Sequence, residues 1–278
     1  MKNRNKLLVG AGVLLIGSGL VYCVVFALSG ESWSGPTSLR KPLLFGLSTG
    51  VTLLSLAEVA RRLPTHRIDY ALYASLAGAL LLEVALIDLQ QARGVASHFN
   101  RATTFDASIQ CIMSVLIGYA TVVILFMTAR SFTPLSTTPD QTLVVRAGMV
   151  LLSVGCVLGG LITIIGEVNL REGHPPEILG RAGVLKFPHG LPLHAIQILQ
   201  IQRWGLTRLA IRETTRWRSL VATTVGMTMV TLYGIVQTGL GEPRNPPVAA
   251  TWPLAVFSAT AFVAAVIIVY RNLTIIRS

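Results

Sequence analysis

The sequence predicts an all-α protein, a polytopic transmembrane helix bundle of about eight helices with both termini in the cytoplasm. Hydrophobic residues make up 52% of the 278 positions and charged residues only 13%, about half the charged fraction of a soluble domain. Apolar runs of close to 20 residues recur along the whole chain, and a helix of that length crosses a hydrocarbon core of about 30 Å. Basic residues concentrate in alternate connections, as they do in multi-pass proteins.

Each apolar run is expected to be a helix, because backbone groups inside the hydrocarbon must bond within their own segment. The first run follows Lys2, Arg4 and Lys6 as a signal peptide would, but it is longer than a cleaved signal and is interpreted as an uncleaved helix. We find no repeat and no soluble insertion, so residues 1–278 are predicted to form a single transmembrane domain. The predicted helices cover residues 7–28, 42–60, 70–91, 104–129, 143–166, 184–204, 217–238 and 250–270.

The distribution of basic residues predicts the orientation. Fifteen of the 23 lysines and arginines lie in the terminal segments, in the connections on the amino-terminal side, or at Arg146 just inside a helix. The positive-inside rule predicts that this side faces the cytoplasm and that the protein lies in a bacterial inner membrane. The net charge of +11 then belongs to the cytoplasmic face, where it predicts contact with the lipid bilayer and its anionic headgroups rather than with nucleic acid. The sequence leaves any protein partner unknown.

Two polar stretches fall on the opposite, outer side. "GVASHFNRATTFD" at 94–106 precedes the fourth predicted helix, and "KFPHGLPLHAIQ" at 186–197 opens the sixth. Prolines cannot donate a helical hydrogen bond, so we expect Pro192 near the first helical position, His194 in the first turn and His189 in an extended entry segment. The candidate ligand- or cofactor-binding residues from these stretches are His98, Asn100, Asp106, His189, His194 and Gln197.

Glu83 is the deepest charged residue, and it is a further candidate because ionisable side chains inside a membrane are costly and usually functional. A buried hydrogen bond between helices would also account for it. Asp106 follows Thr103 by three residues, which is the spacing of a helix-capping box, so capping alone could explain this acid. Asn100 is likewise a common turn residue.

Several short motifs carry a resemblance to a known family. "WSGP…RKP" at 33–42, "RG" at 93–94 followed by "SHFN..T.FD" at 97–106, and "H….HAIQ" at 189–197 resemble a family of uncharacterised bacterial polytopic membrane proteins. The resemblance implies the architecture and points to the same His, Asn, Asp and Gln positions, but it implies no reaction. A glycine-rich stretch of that family, before the sixth helix, is here replaced by "EILGRAGVLKFP".

Three functions remain open from the residues. Imidazole ligates haem iron, copper and zinc, so His98, His189 and His194 suggest a membrane redox protein that binds haem, a transition metal or a quinone. Glu83 and the polar sixth helix instead suggest a transporter, channel or small-ligand receptor. A membrane scaffold or assembly protein is the third reading. The sequence has no CxxCH or HExxH motif, phosphate loop or nucleophile elbow, which argues against ATPases and serine hydrolases.

Overall fold

A computed structural model describes residues 5–35 and 37–277. Lys2, Arg4 and Pro36 of the sequence motifs lie outside the described residues. Within the described ranges the chain forms nine helices and one short antiparallel hairpin. These elements are α1 (Lys6–Ser29), α2 (Arg40–Arg62), α3 (Asp69–Ala92), α4 (Thr104–Ser131), α5 (Pro139–Arg171), β1 (Ile178–Leu179), β2 (Gly183–Val184), α6 (Lys186–Leu193), α7 (Ala195–Arg208), α8 (Glu213–Gly239) and α9 (Trp252–Arg277).

The helical architecture confirms the predicted fold class. Among the described residues, seven helices are long and apolar enough to cross a membrane, and they are α1 to α5, α8 and α9. The predicted helix over 184–204 is different. It is divided at His194 into α6, which has eight residues, and α7, which has 14, and neither part alone has the length of a membrane span.

The described chain separates into two compact units, Met1–Phe126 and Met127–Ser278, called unit 1 and unit 2. In unit 1, glycines let α1 and α2 approach until their backbones touch. A Cβ atom added at Gly46 would lie 2.7 Å from the backbone nitrogen of Gly19, and one at Gly50 would lie 2.7 Å from the carbonyl oxygen of Gly12. Such small-residue contacts are the usual means of close helix packing in membranes.

In unit 2, α6 and α7 together run antiparallel to α5. Gly148 faces Ile196, Gly155 faces Leu193 and Gly159 faces His189, a stretch of about 16 Å along α5 at 1.5 Å per residue. The divided segment therefore follows α5 closely although it is not one helix. Gly155 and Gly159, which have GxxxG spacing in the sequence, supply two of these three contacts.

The structure corrects three expectations about this segment. His189 lies inside α6 rather than in an extended entry segment, and Pro192 lies near the end of α6 rather than at the start of a helix. His194 is the residue between α6 and α7 rather than a first-turn residue. The reason is that Leu185 and the residues after it already adopt helical geometry, and the proline ring at 192 interrupts the helical hydrogen bonding only about two turns later.

Candidate functional site

The loop between α3 and α4 carries most of the polar residues of unit 1. Two residues of this loop adopt left-handed backbone conformations, Gly94 with φ 67° and Phe99 with φ 57°. Glycine adopts this geometry readily, but for an aromatic residue it is unusual. The side chain of Gln110 in α4 holds the turn at Phe99, because its Oε1 accepts a hydrogen bond of 2.9 Å from the Phe99 backbone N–H.

This loop brings His98 to Glu83. The Nε2 atom of His98 lies 3.8 Å from Oε1 of Glu83, with 25% of the histidine side chain exposed but only 4% of the glutamate. Glu83 lies nine residues before the end of α3, which is about 13 Å along the helix axis. The loop must therefore fold back along α3 to reach it. Two residues that the sequence places at different depths thus form one carboxyl–imidazole pair.

One carboxylate oxygen of Glu83 is left over. Oε2 is buried and has no hydrogen-bond partner among the described residues, whereas buried polar atoms in proteins are nearly always paired. On the other side of the pair, the Ser97 hydroxyl lies 3.0 Å from Nδ1 of His98. The imidazole is thus oriented by a neighbour, while the carboxyl group keeps capacity to accept a hydrogen bond.

One neighbour of the pair is aromatic and belongs to an apolar cluster. The ring of Phe45 in α2 lies 5.5 Å from the His98 ring, centroid to centroid. Phe45 also packs, with Leu86, against a buried cluster of Ile87, Ile109 and Met113. A polar pair next to an apolar cluster suits a ligand with a polar head and an apolar body.

Asp106 has a different environment from His98. Its Oδ1 accepts hydrogen bonds from Gln90 at 3.0 Å and from Arg93 at 2.6 Å, while Oδ2 accepts one of 2.7 Å from the Thr103 hydroxyl. The Asp106 N–H in turn donates to the Thr103 oxygen at 3.1 Å. The capping interpretation is therefore confirmed, and these bonds connect the end of α3 to the start of α4.

Asn100 is also a turn residue. Its side-chain nitrogen donates to the carbonyl oxygen of Ala96 at 3.1 Å, and its side-chain oxygen accepts from the N–H of Ala102 at 3.1 Å. Both bonds stay within the loop. Asn100 and Asp106 therefore shape the loop that positions His98, and within the described ranges neither is hydrogen-bonded to Glu83.

The candidates of unit 2 are placed along α6 and α7. His189 is partly buried, and its Nδ1 lies 2.7 Å from the carbonyl oxygen of Gly155. Its ring packs against Gly159, where an added Cβ would lie 2.8 Å from Cε1. A ring held through Nδ1 by a carbonyl is the usual arrangement of a metal-bound histidine, and it is also a common packing arrangement. His194 lies between the two helices, and Gln197 is buried in the first turn of α7.

Ligand geometry bears on the haem and metal readings. Across the described ranges, no three His, Cys, Asp or Glu side chains come together as a metal site. His98 belongs to unit 1, and His189 and His194 belong to unit 2. The Glu83 carboxyl group is a local partner of His98, and the Gly155 backbone carbonyl is one of His189. Within the described residues, each of these histidines is therefore seen in a pair of this kind rather than in a cluster of three ligands.

Two polar clusters are not evident from the sequence. In unit 1, the Ser18 hydroxyl donates to Oδ2 of Asp88 at 3.1 Å, and Oδ1 of Asp88 is buried without a partner among the described residues. In unit 2, fully buried Asp140 lies 3.1 Å from Arg203 and 3.0 Å from Arg216. Asp88 reads in the sequence as an acid near the end of a helix, and only the packing of α1 on α3 places it beside Ser18.

Comparison with known proteins finds no matching family model, no similar curated protein and no similar solved structure. Function is therefore inferred from the geometry of the chain itself.

Proposed function

We propose that this multi-pass membrane protein binds a quinone or quinol at the Glu83–His98 pair and exchanges protons with it. In this proposal the protein lies in a bacterial inner membrane, with its basic loops against anionic headgroups in the cytoplasm and the pair toward the outer side. The single observation that carries it is the buried carboxyl group of Glu83 beside a partly exposed imidazole, with one carboxylate oxygen unpartnered.

The spacing of the pair suits one ligand oxygen. The two facing atoms are 3.8 Å apart, so an oxygen atom can lie about 2.8 Å from both, within hydrogen-bond distance. A quinol hydroxyl donates a hydrogen bond to the Glu83 carboxylate, and when a membrane electron acceptor takes the electrons of the bound quinol, the hydroxyl proton passes to that carboxylate. A quinone carbonyl accepts a hydrogen bond from an imidazole N–H. The same two side chains therefore recognise both states of the ligand.

The depth of the pair suits a lipid-soluble ligand. Glu83 lies about 13 Å from the end of α3, a helix long and apolar enough to span a membrane, and the Phe45 ring that packs against His98 belongs to an apolar cluster with Leu86 and Ile87. The tail of a membrane quinone is apolar, and the molecule diffuses within the bilayer. A small, water-soluble substrate would gain little from apolar side chains beside the binding groups.

The difference in exposure gives protons a direction. The Glu83 side chain is almost fully buried and that of His98 is a quarter exposed. A proton that leaves a quinol hydroxyl for Glu83 therefore reaches water through the more exposed imidazole, a group suited to shuttling protons near neutral pH. The role of Glu83 is to accept the proton, and that of His98 is to pass it outward.

Calorimetric titration with short-chain quinones tests this proposal. Purified wild-type protein should bind a short-chain benzoquinone or naphthoquinone. Glu83→Gln should weaken binding of the quinol form about tenfold, because a charge-assisted hydrogen bond is replaced by a neutral one. His98→Ala should weaken binding of the quinone form about three- to tenfold through the loss of one donor.

Matched variants separate the site from general effects. Glu58→Gln changes a carboxyl group of unit 1 that pairs with Arg61 and Arg62, and His174→Gln changes an exposed histidine of unit 2. Both should leave the dissociation constants unchanged. Equal affinity for quinol in the wild type and in Glu83→Gln would reject the proposal.

Proton or cation transport is the second candidate, and one observation favours it. Glu83 and Asp88 lie five residues apart on α3, each with a buried, unpartnered oxygen, about 7.5 Å apart along the axis. Because residues five apart point about 140° apart around a helix, a proton would pass between these two carboxyl groups by way of bridging water or a transported cation. In proteoliposomes with a pH-sensitive dye, Glu83→Gln and Asp88→Asn should then each abolish flux. Flux that is the same in both variants as in the wild type would exclude this candidate.

A further inference from the structure

Unit 2 contains an open cleft where α5 and α8 begin. Its volume is about 380 Å³. The lining combines one arginine, two threonines and three apolar side chains. These residues are Thr137, Pro139, Thr142, Leu143, Arg146 and Trp217.

The positive charge of Arg146 has no acidic partner among the described residues. Its Nε donates to the carbonyl oxygen of Ser131 at 3.0 Å and its Nη2 to that of Thr133 at 3.4 Å. Its guanidinium also lies over the ring of Phe132, 5.6 Å from the centroid. All three contacts are neutral, so the cleft keeps a full positive charge.

The neighbouring arginines are different. Arg203 and Arg216 both lie beside the buried carboxylate of Asp140, which offsets one of their two positive charges within unit 2. Arg146 is also fixed in place by its two carbonyl contacts, which lowers the entropy cost of binding an anion. A guanidinium held in this way is well suited to a phosphate group.

The rest of the cleft is amphipathic. The hydroxyls of Thr137 and Thr142 lie 2.9 Å apart and supply neutral hydrogen-bonding groups. Leu143 and Pro139 supply apolar surface, and Trp217 is 43% exposed. Tryptophan prefers the boundary between headgroups and acyl chains, where its ring is in apolar surroundings and its N–H is near water.

The cleft lies near one end of a helix that could span a membrane. Arg146 is seven residues into α5, a helix long and apolar enough to span a membrane, which places it about 10 Å from the helix start. Residues 203–218, at the end of α7 and the start of α8, contain five arginines, as is usual on the cytoplasmic side of membrane proteins. Basic clefts between helices on that side commonly hold anionic lipid headgroups.

We propose that this cleft binds the phosphate group of an anionic phospholipid. Arg146 pairs with the phosphate, the threonine hydroxyls donate to its ester oxygens or to the headgroup, and Trp217 packs against the glycerol and upper acyl chain. This proposal does not depend on the quinone site, which belongs to unit 1.

Native mass spectrometry of delipidated protein tests the site. Added phosphatidylglycerol should remain bound to the wild type, and phosphatidylcholine, whose headgroup has no net charge, should be retained much less. Arg146→Gln should lower phosphatidylglycerol retention at least fivefold. Arg212→Gln removes an exposed arginine outside the cleft and should have no effect. Equal retention in wild type and Arg146→Gln, or an equal loss in both variants, would overturn the proposal.

A second variant and a competition experiment with soluble phosphates complete the test. Trp217→Ala leaves the carbonyl contacts of Arg146 intact and should still lower retention about threefold, so the result does not depend on how well Arg146→Gln folds. Inorganic phosphate and glycerol phosphate are then added in excess. Lipid that stays bound supports a headgroup site that needs the acyl chains. Displacement of the lipid by either anion would show a free-phosphate site instead and overturn the lipid assignment, as would unchanged retention in Trp217→Ala.

Discussion

At the scale of single residues, the polar side chains of unit 1 divide into those that build the α3–α4 loop and those that it positions. Asp106, Gln90, Arg93, Thr103 and Asn100 bond to one another or to the loop backbone. Glu83 keeps a buried oxygen without a partner among the described residues. The first group can be explained by folding alone, so the functional interpretation concentrates on Glu83 and His98.

Replacement of Asp106 is expected to affect stability rather than binding. Asp106→Asn removes the charge that accepts from Arg93, Gln90 and Thr103. Because the Arg93 side chain is a third exposed and solvent screens the pair, we expect a loss of only about 1–3 kcal/mol. The melting temperature in detergent should fall by several degrees, and Glu31→Gln, in an exposed loop, should leave it unchanged. A variant of normal stability that no longer binds quinone would contradict this assignment.

His189 is expected to be a packing residue of unit 2. His189→Ala removes the hydrogen bond to the Gly155 carbonyl and leaves a void beside Gly159, which should cost about 1–3 kcal/mol. Thermal unfolding and the absorption spectrum should be measured together, with His174→Gln as the control. A cofactor absorption band that is present in the wild type and absent only from His189→Ala would show that this ring is an axial ligand instead.

The sequence could indicate which residue types matter but not which of them meet. The spacing of Thr103 and Asp106 predicts the cap because both partners lie within one turn. The meeting of Glu83 and His98 depends on a left-handed turn at Phe99, a conformation that no local pattern predicts for an aromatic residue. The local hydrogen bonds of Thr224, Thr228 and Thr231 to their own helix are predictable, whereas the Ser18–Asp88 bond spans 70 residues.

At the scale of elements, close helix packing in unit 1 depends on glycine. Gly46 lies against backbone atoms of Gly19, with contacts of 2.7 and 2.8 Å for an added Cβ, and backbone cannot move aside as a side chain can. The pattern Gly46-x-x-x-Gly50 is readable in the sequence, but its partner helix is not. Many glycines of the chain have open space around them, and only the structure separates the two kinds.

A matched pair of glycine substitutions tests this packing. Gly46→Ala should force α1 and α2 apart and destabilise the protein by about 1–3 kcal/mol. Gly78→Ala, on α3 in the same unit, meets no atom within 4 Å and should be neutral or stabilising by about 0.5–1 kcal/mol. Melting temperatures of the two variants give the comparison. Equal effects of the two substitutions would show that the glycine contacts do not hold α1 against α2.

The divided segment α6–α7 shows how far apolar periodicity can predict an element. The apolar run over 184–204 was long enough to predict one membrane helix, and the segment does follow α5 closely. The position of the break depends on how the helix starts at Lys186 and on the proline at 192, and these two effects compete. The sequence therefore predicts the path of the segment but not its internal geometry.

At the scale of the whole molecule, the number of crossings determines where the termini lie. Seven helices have the length and apolar character to cross alone, and seven crossings would place the termini on opposite sides. We expect α6 and α7 to cross together as an eighth span, with both termini in the cytoplasm. A green fluorescent protein fused after residue 278 should therefore fluoresce, and alkaline phosphatase at the same position should be inactive. Active phosphatase would show that the α6–α7 segment does not cross.

The account as a whole depends on Glu83 as the group that takes up the ligand proton. Difference infrared spectroscopy between the quinone-bound and quinol-bound protein reports this directly, because protonation of one carboxylate produces a carboxyl stretching band. We expect this band in the wild type and in Glu58→Gln, with a shift when the protein contains isotope-labelled glutamate, and its absence from Glu83→Gln. The same labelled band in Glu83→Gln would contradict the account.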